Sequence, residues 1–273
     1  MKSFRVCIAG KNDIAVNSTD YLINKLRICK KDIMVIPNTT DAGRDTWQKS
    51  LRKFAIDNDI RIVYLDNIFG IENLVFISLE FDKLINPRLF KSRSLFNIHF
   101  SLLPRYKGVY TSIFPILNGE NEAGVTLHLI DEGIDTGDII AQKRFPIDIN
   151  DTSRDLYFKF LHYGFELYIE NIENLLSNDF NSFLQSNIGA SYFSRKSIDF
   201  NKIEIDFSKT SFEVHNQIRA FIFKEYQLPE INGVKVKKSI LTNEKIEKKY
   251  FNEIKEKFII SGTDGLKIEV FKA

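Results

Sequence analysis

The sequence predicts an α/β fold, a mainly parallel sheet with helices on both faces, followed by a small β-rich subdomain. Three observations carry this. Short apolar runs alternate with longer amphipathic stretches through the first half, which is how strand–helix units read in sequence. An Asn- and Ser-rich stretch, 177–187, then interrupts the pattern. Beyond it, short runs with hairpin signals replace the alternation.

In chain order, the first strand is expected over 4–9 and a helix over 13–28. Strands at 32–36 and 61–65 flank a second helix at 45–58. Further strands follow at 74–79 and 95–100, then at 124–130 and 139–145. A long amphipathic helix is expected over 153–176, with 177–187 as the linker. A helix over 211–223 precedes the hairpin 230–237, marked by Asn232-Gly233, the dipeptide that best suits a tight hairpin turn. Runs at 258–261 and 266–271, around Gly262-Thr263-Asp264-Gly265, predict a second hairpin. The division is therefore a Rossmann-like domain over 1–185 and a smaller subdomain over 186–273, whose hairpin edges suit pairing with a second copy. In open parallel sheets of this kind, ligands bind beyond the carboxyl ends of the strands, where the strand order reverses.

Composition narrows the function. The 273 residues are 44% hydrophobic and 27% charged, with a net charge of +2, ordinary for a globular protein with a real core. No dense basic stripe addresses the chain to nucleic acid. From Arg195 onward, 16 Lys and Arg stand against 12 Asp and Glu, a net of +4. No apolar run approaches the roughly 18 residues of a membrane span, and no signal-peptide pattern opens the chain. Two cysteines, Cys7 and Cys29, make no disulfide framework. A reducing cytoplasm is the expected compartment.

The chemistry concentrates in one block, Phe96-Asn97-Ile98-His99-Phe100-Ser101-Leu102-Leu103-Pro104-Arg105-Tyr106-Lys107-Gly108, answered by Asp131-Glu132-Gly133-Ile134-Asp135-Thr136-Gly137-Asp138. Residues i and i+2 of a strand point to one side, so Asn97 and His99 project together near a strand end. Asn97 supplies an amide donor and His99 a proton carrier, while Asp135 sits on a Gly-flanked turn. These groups suit attack of an amine on a carbonyl, which requires a stabilised oxyanion and the movement of one proton. Taken singly, Asn97 reads as a strand-end cap and His99 as a core histidine. The acids 131, 135 and 138 do not make an EF-hand: Gly133 and Gln142 stand where its third and twelfth residues must be ligands, and no metal is expected.

Together with Gly124-Val125-Thr126, these motifs resemble the N10-formyltetrahydrofolate-dependent formyltransferases. The likeness spans about 1–225 and is sharpest over 96–140. The stretches 9–15 and 76–85 are similar to the nucleotide-sugar N-formyltransferase branch. The resemblance implies the formyltransferase fold, with Asn97 and His99 donating to the oxyanion and Asp135 pairing with His99. It implies transfer of a formyl group from N10-formyltetrahydrofolate, a co-substrate, to a dTDP-linked amino sugar. The favoured sugar is dTDP-4-amino-4,6-dideoxyglucose, in O-antigen or other surface lipopolysaccharide synthesis, while the stereochemistry, C3 or C4 as the amine position, and the nucleotide stay open. Ser78, Leu79, Glu80, Leu103 and Asp131 are expected to meet the folate. Gly10, Lys11, Asn12, Lys83, Arg105 and Tyr226 are expected at the nucleotide sugar, and a cytoplasmic homodimer completes the expectation. Several of these positions keep a plainer reading as well: Asp131 as a turn former, Lys83 and Arg105 as solvated charges, Phe221, Phe223 and Tyr226 as packing. His128, His162 and His215 read as structural. The alternatives are a methionyl-tRNA formyltransferase and a non-catalytic folate- or nucleotide-binding module.

Overall fold

The structure, a computed structural model, describes residues 4–273. Its strands are β1 (Arg5–Gly10), β2 (Ile33–Pro37), β3 (Arg61–Ile62), β4 (Leu74–Leu79), β5 (Ser94–His99), β6 (Lys107–Gly108), β7 (Glu122–Leu129), β8 (Ile139–Pro146) and β9 (Tyr192–Phe193). The C-terminal part adds β10 (Glu230–Ile231), β11 (Val234–Lys245), β12 (Phe251–Glu253), β13 (Lys257–Ser261) and β14 (Leu266–Lys272). The helices are α1 (Asn12–Asn24), α2 (Leu51–Asp57), α3 (Phe114–Leu117), α4 (Ser153–Ser177) and α5 (Ser211–Ala220).

Seven strands form one sheet in the order β3-β2-β1-β4-β5-β7-β8. The pairs among β1 to β5 are parallel and β7 runs antiparallel to β5. The chain builds outward from β1 to β3, then returns to place β4 on the other side of β1. The strand order therefore reverses between β1 and β4, where a binding crevice belongs. Cys7, Ala9, Met34, Ile36, Phe76 and Leu95 pack on one face as a continuous apolar layer. Helix α4 comes close to the sheet at Gly164, where an added Cβ would lie 2.9 Å from Ile14 Cδ1 and 3.3 Å from Phe100. Phe160 stacks on Phe100 with ring centroids 5.3 Å apart.

The chain groups into two compact units. The first comprises the residues through Lys107 with Gly124–Lys143 and Phe160–Ser191; the second comprises Gly108–Ala123, Arg144–Lys159 and Tyr192–Ala273. In the second unit an antiparallel sheet, β10-β11-β14-β13-β12, packs on α5 through Val214, Ile218, Val236, Phe258, Ile260 and Ile268. Both expected hairpins form. Asn232 and Gly233 have φ of 52° and 78°, the positive pair that a two-residue turn between twisted strands requires.

Helices α1 and α5 end at Asn24 and Ala220, short of the expected 28 and 223, and two further elements are shorter still relative to expectation. Helix α2 starts at Leu51, because Asp41 and Asp45 hold the preceding residues as a loop. Asp41 accepts from Gly43 N and Ser50 Oγ, and Asp45 accepts from Ser50 N. Ser50 then caps the helix by accepting from Lys53 N. Strand β3 keeps only two of its five expected residues.

Candidate active site

Strand β5 ends at His99, and its register with β7 decides what faces it. Asn97 lies opposite His128 and His99 opposite Thr126, so all four side chains share one side of the sheet. Asp135 enters from the turn after β7 with φ of 55°. Its Oδ1 accepts from Asn97 Nδ2 at 3.3 Å and lies 3.5 Å from His99 Nδ1 and 3.6 Å from His128 Nε2. The three residues expected to carry the chemistry are thus gathered on one carboxylate oxygen. His99 is 8% exposed and Asp135 13%, low enough to strengthen their attraction yet open to a ligand.

Proton positions follow from the partners. His99 Nε2 faces the carbonyl oxygen of Tyr106 at 2.8 Å and so carries a hydrogen. Its Nδ1 is then the nitrogen that binds and releases a proton, and it is the one beside Asp135. His128 Nδ1 faces the carbonyl of Leu129 at 2.7 Å and donates to it, which leaves Nε2 to accept from Asn97 Nδ2 at 3.0 Å. Both amide hydrogens of Asn97 are therefore spoken for, one by His128 and one by Asp135. Turning the amide over would set its oxygen against the carboxylate. His128, expected to be structural, is a member of this cluster. The sequence signal for it was positional: it shares the strand face of Thr126, two residues earlier.

Thr126 organises the loop after β5. Its hydroxyl donates to Ser101 O at 2.6 Å and accepts from Leu103 N and from Gln142 Nε2. Gln142 also donates to Leu103 O, so buried Leu103 is fixed beside the strand end. Ser101 Oγ donates to Arg105 O, and the loop then delivers the Tyr106 carbonyl to His99. Arg105 itself is exposed. Asp131 accepts from Gly133 N and Thr136 Oγ1, which shapes the turn that carries Asp135.

At the reversal of the strand order, the ends of β1 and β4 lie side by side. A Cβ on Gly10 would sit 1.8 Å from Leu79 O, so only glycine fits there. Lys11 N donates to Leu79 O, and Lys11 Nζ lies 3.7 Å from Glu80. Buried Asn38 ties the two ends together, donating to Glu80 O at 2.8 Å. Gly10, Lys11 and Asn12 thus adjoin Ser78, Leu79 and Glu80, with Lys83 exposed a little further on. Tyr226 belongs to the second unit, where it is 60% exposed and leans on Phe223 at 4.8 Å. Phe221 and Phe223 are buried and serve packing.

Comparison with known proteins bears on family and fold. The formyl transferase family profile matches residues 71–172. The solved structure of WlaRD, a sugar 3N-formyl transferase crystallised with dTDP and 5-N-formyl-THF, is 57% identical with a TM-score of 0.97. That match covers 100% of this chain and 98% of the other. The N-formyltransferase from Helicobacter canadensis, in complex with folinic acid and dTDP-3-aminofucose, is 54% identical with a TM-score of 0.97, over 99% and 100% of the two chains. Methionyl-tRNA formyltransferase of Clostridioides difficile is 27% identical over 232 residues, 79% of this chain and 72% of that protein.

Proposed function

This chain belongs to the formyltransferase family, in its sugar N-formyltransferase branch, and from that premise we propose that it formylates the amine of a dTDP-linked amino sugar, with N10-formyltetrahydrofolate as donor. The observation that carries the chemistry is the convergence of Asn97, His99 and Asp135 on one carboxylate oxygen.

The neutral amine attacks the formyl carbon, a C–N bond forms, and the carbonyl oxygen becomes an oxyanion. Asn97 Nδ2 turns its hydrogen from Asp135, the longer of its two bonds, onto that oxygen. His99 donates through Nδ1 when protonated, because Nε2 is held on Tyr106. The amine proton passes to the His99–Asp135 pair. Collapse of the intermediate breaks the bond to N10, which takes a proton and leaves as tetrahydrofolate. Hydrogen bonds of this kind are often long before substrate binds and tighten in the complex.

Ser78, Leu79, Glu80, Leu103 and Asp131 are assigned to the folate, and Gly10, Lys11, Asn12, Lys83, Arg105 and Tyr226 to the nucleotide sugar. Support for placing both sets at the site is their position by the strand-order reversal and the β5 loop, Asp131 and Tyr226 excepted; their division between the two ligands follows the resemblance. The resemblance favoured a 4-amino sugar while the sequence left C3 or C4 open; the two relatives above 50% identity act on, or hold, 3-amino sugars, and the proposal places the amine at C3. A cytoplasmic homodimer serving surface polysaccharide synthesis remains part of the reading. Among the described residues no helix is long and apolar enough to cross a membrane.

Labelled N10-formyltetrahydrofolate offered with a dTDP-3-amino sugar, a dTDP-4-amino sugar and methionyl-tRNA tests all of this. Label is expected in the 3-amino sugar. Label in the 4-amino sugar alone corrects the amine position, and label in tRNA alone overturns the acceptor class.

A further inference from the structure

Residues 177–187 read as a linker, yet the segment after α4 grips both loops of the active site. Ile139 and Phe183 exchange two backbone hydrogen bonds of 2.9 Å, which lays the segment along the start of β8. Two residues on, Gln185 Nε2 donates to the carbonyls of Asp135, at 2.9 Å, and Gly137, at 2.7 Å. At its far end, Ser191 Oγ accepts from Tyr106 N at 2.8 Å, while Ser191 N donates to Pro104 O at 3.2 Å. One stretch of chain therefore holds the turn bearing Asp135 and the loop whose carbonyl fixes His99 Nε2.

Gln185 pays for this place with an orphan: its Oε1 is buried and has no hydrogen-bond partner. A buried acceptor without a partner costs stability, and the same side chain offsets that cost by satisfying the carbonyls of Asp135 and Gly137. The amide cannot be turned to relieve this, since Oε1 would then face two carbonyl oxygens. Its two donors are what the site uses. Asp135 stands at φ 55°, a conformation that a non-glycine residue holds only when its surroundings impose it.

We propose that Gln185 is a positioning residue for Asp135, holding the αL turn so that Oδ1 stays within reach of both Asn97 and His99. This rests on Asp135 acting on His99 as argued above. Gln185→Leu removes both donors and the orphan acceptor together. It is expected to lower kcat on the order of tenfold, the worth of one or two hydrogen bonds, with KM for both substrates nearly unchanged, and the two carbonyls left unpaired should also lower the thermal midpoint. In the Asp135→Asn background the same substitution should cost less than about twofold, because the group it positions is already lost. Should the leucine variant fail to fold, near-isosteric Gln185→Glu supports the same cycle, as it sets a carboxylate against the two carbonyls. An unchanged kcat, or an equal loss with and without the Asp135 carboxylate, overturns the proposal. If Asp135→Asn is itself fully active, the catalytic reading fails instead, which separates the two.

Discussion

His99 shows how one side chain's role is set by a single backbone oxygen. Because the Tyr106 carbonyl occupies Nε2, the proposed mechanism routes its proton through Nδ1, 3.5 Å from Asp135. His99→Asn keeps a polar group there but no proton carrier. It is expected to lower kcat by about 10²–10⁴-fold with folding intact, which steady-state kinetics and circular dichroism check together. His128 acts one step back, as the acceptor that orients the Asn97 amide. His128→Phe should reduce kcat by up to about tenfold while leaving folate binding alone, the scale of one lost hydrogen bond; calorimetry with a formylfolate analogue alongside turnover decides this. At this scale the sequence was half legible. Asn97, His99 and Asp135 announced themselves through motif spacing, and the structure brings them together. His128 and Gln185 did not, because their importance lies in which partner faces them. Strand register gives His128 its place opposite Asn97, and a bridge to Ile139 sets Gln185 beside Asp135.

Elements were more legible than side chains. Strand β4 spans the expected residues, and most other strands of the main sheet lie within about two residues of expectation, since apolar runs ended by turn residues leave little latitude. Helix α2 was overestimated because 45–50 has helical composition but spends its polar side chains on loop carboxylates, a competition that periodicity does not register. The approach of α4 to α1 and the end of β5 depends on Gly164. Gly164→Ala trades about 0.5–1 kcal/mol of helix propensity against a 2.9 Å contact with the movable end of Ile14, so its effect should be small. Gly164→Leu overfills the gap and should destabilise by roughly 1–3 kcal/mol. Thermal denaturation of the pair measures the contrast, and equal midpoints would mean that the helix does not approach as closely as described.

At the scale of the molecule, the second unit carries a pH dependence separate from catalysis. His215 is fully buried, donating through Nε2 to Ile149 O and accepting at Nδ1 from Ser239. Burial, reinforced by the nearby Arg219, lowers its pKa to about 4. An unfolded histidine titrates near 6.5, so between these values the unfolded chain binds more protons than the folded one. Stability is therefore full above about pH 6.5 and falls as pH drops toward 4, by on the order of 3 kcal/mol. Melting curves at pH 7.5 and 5 should differ by several degrees more in the wild type than in His215→Gln. An identical difference in the two proteins would assign the loss to other groups. The same unit explains the weak electrostatic address of the C-terminal part. Lys257 and Lys267 pair with Glu269, Lys267 also with Glu244, and Lys272 with Glu253, so these three lysines stand among carboxylates.

The interleaving of the two units also has a consequence for biosynthesis. The chain passes between them five times, and residues 108–123 and 144–159 belong to a unit whose remaining segment is translated only from Tyr192 onward. Phe114 awaits Phe193, Arg154 awaits Glu225, and Ile149 awaits His215. At roughly 5–20 residues per second, these stretches stay without their partners on the ribosome for seconds. The first unit, by contrast, has all its segments, Asn97, His99 and Asp135 among them, once Ser191 has emerged and while the C-terminal sheet is still being made.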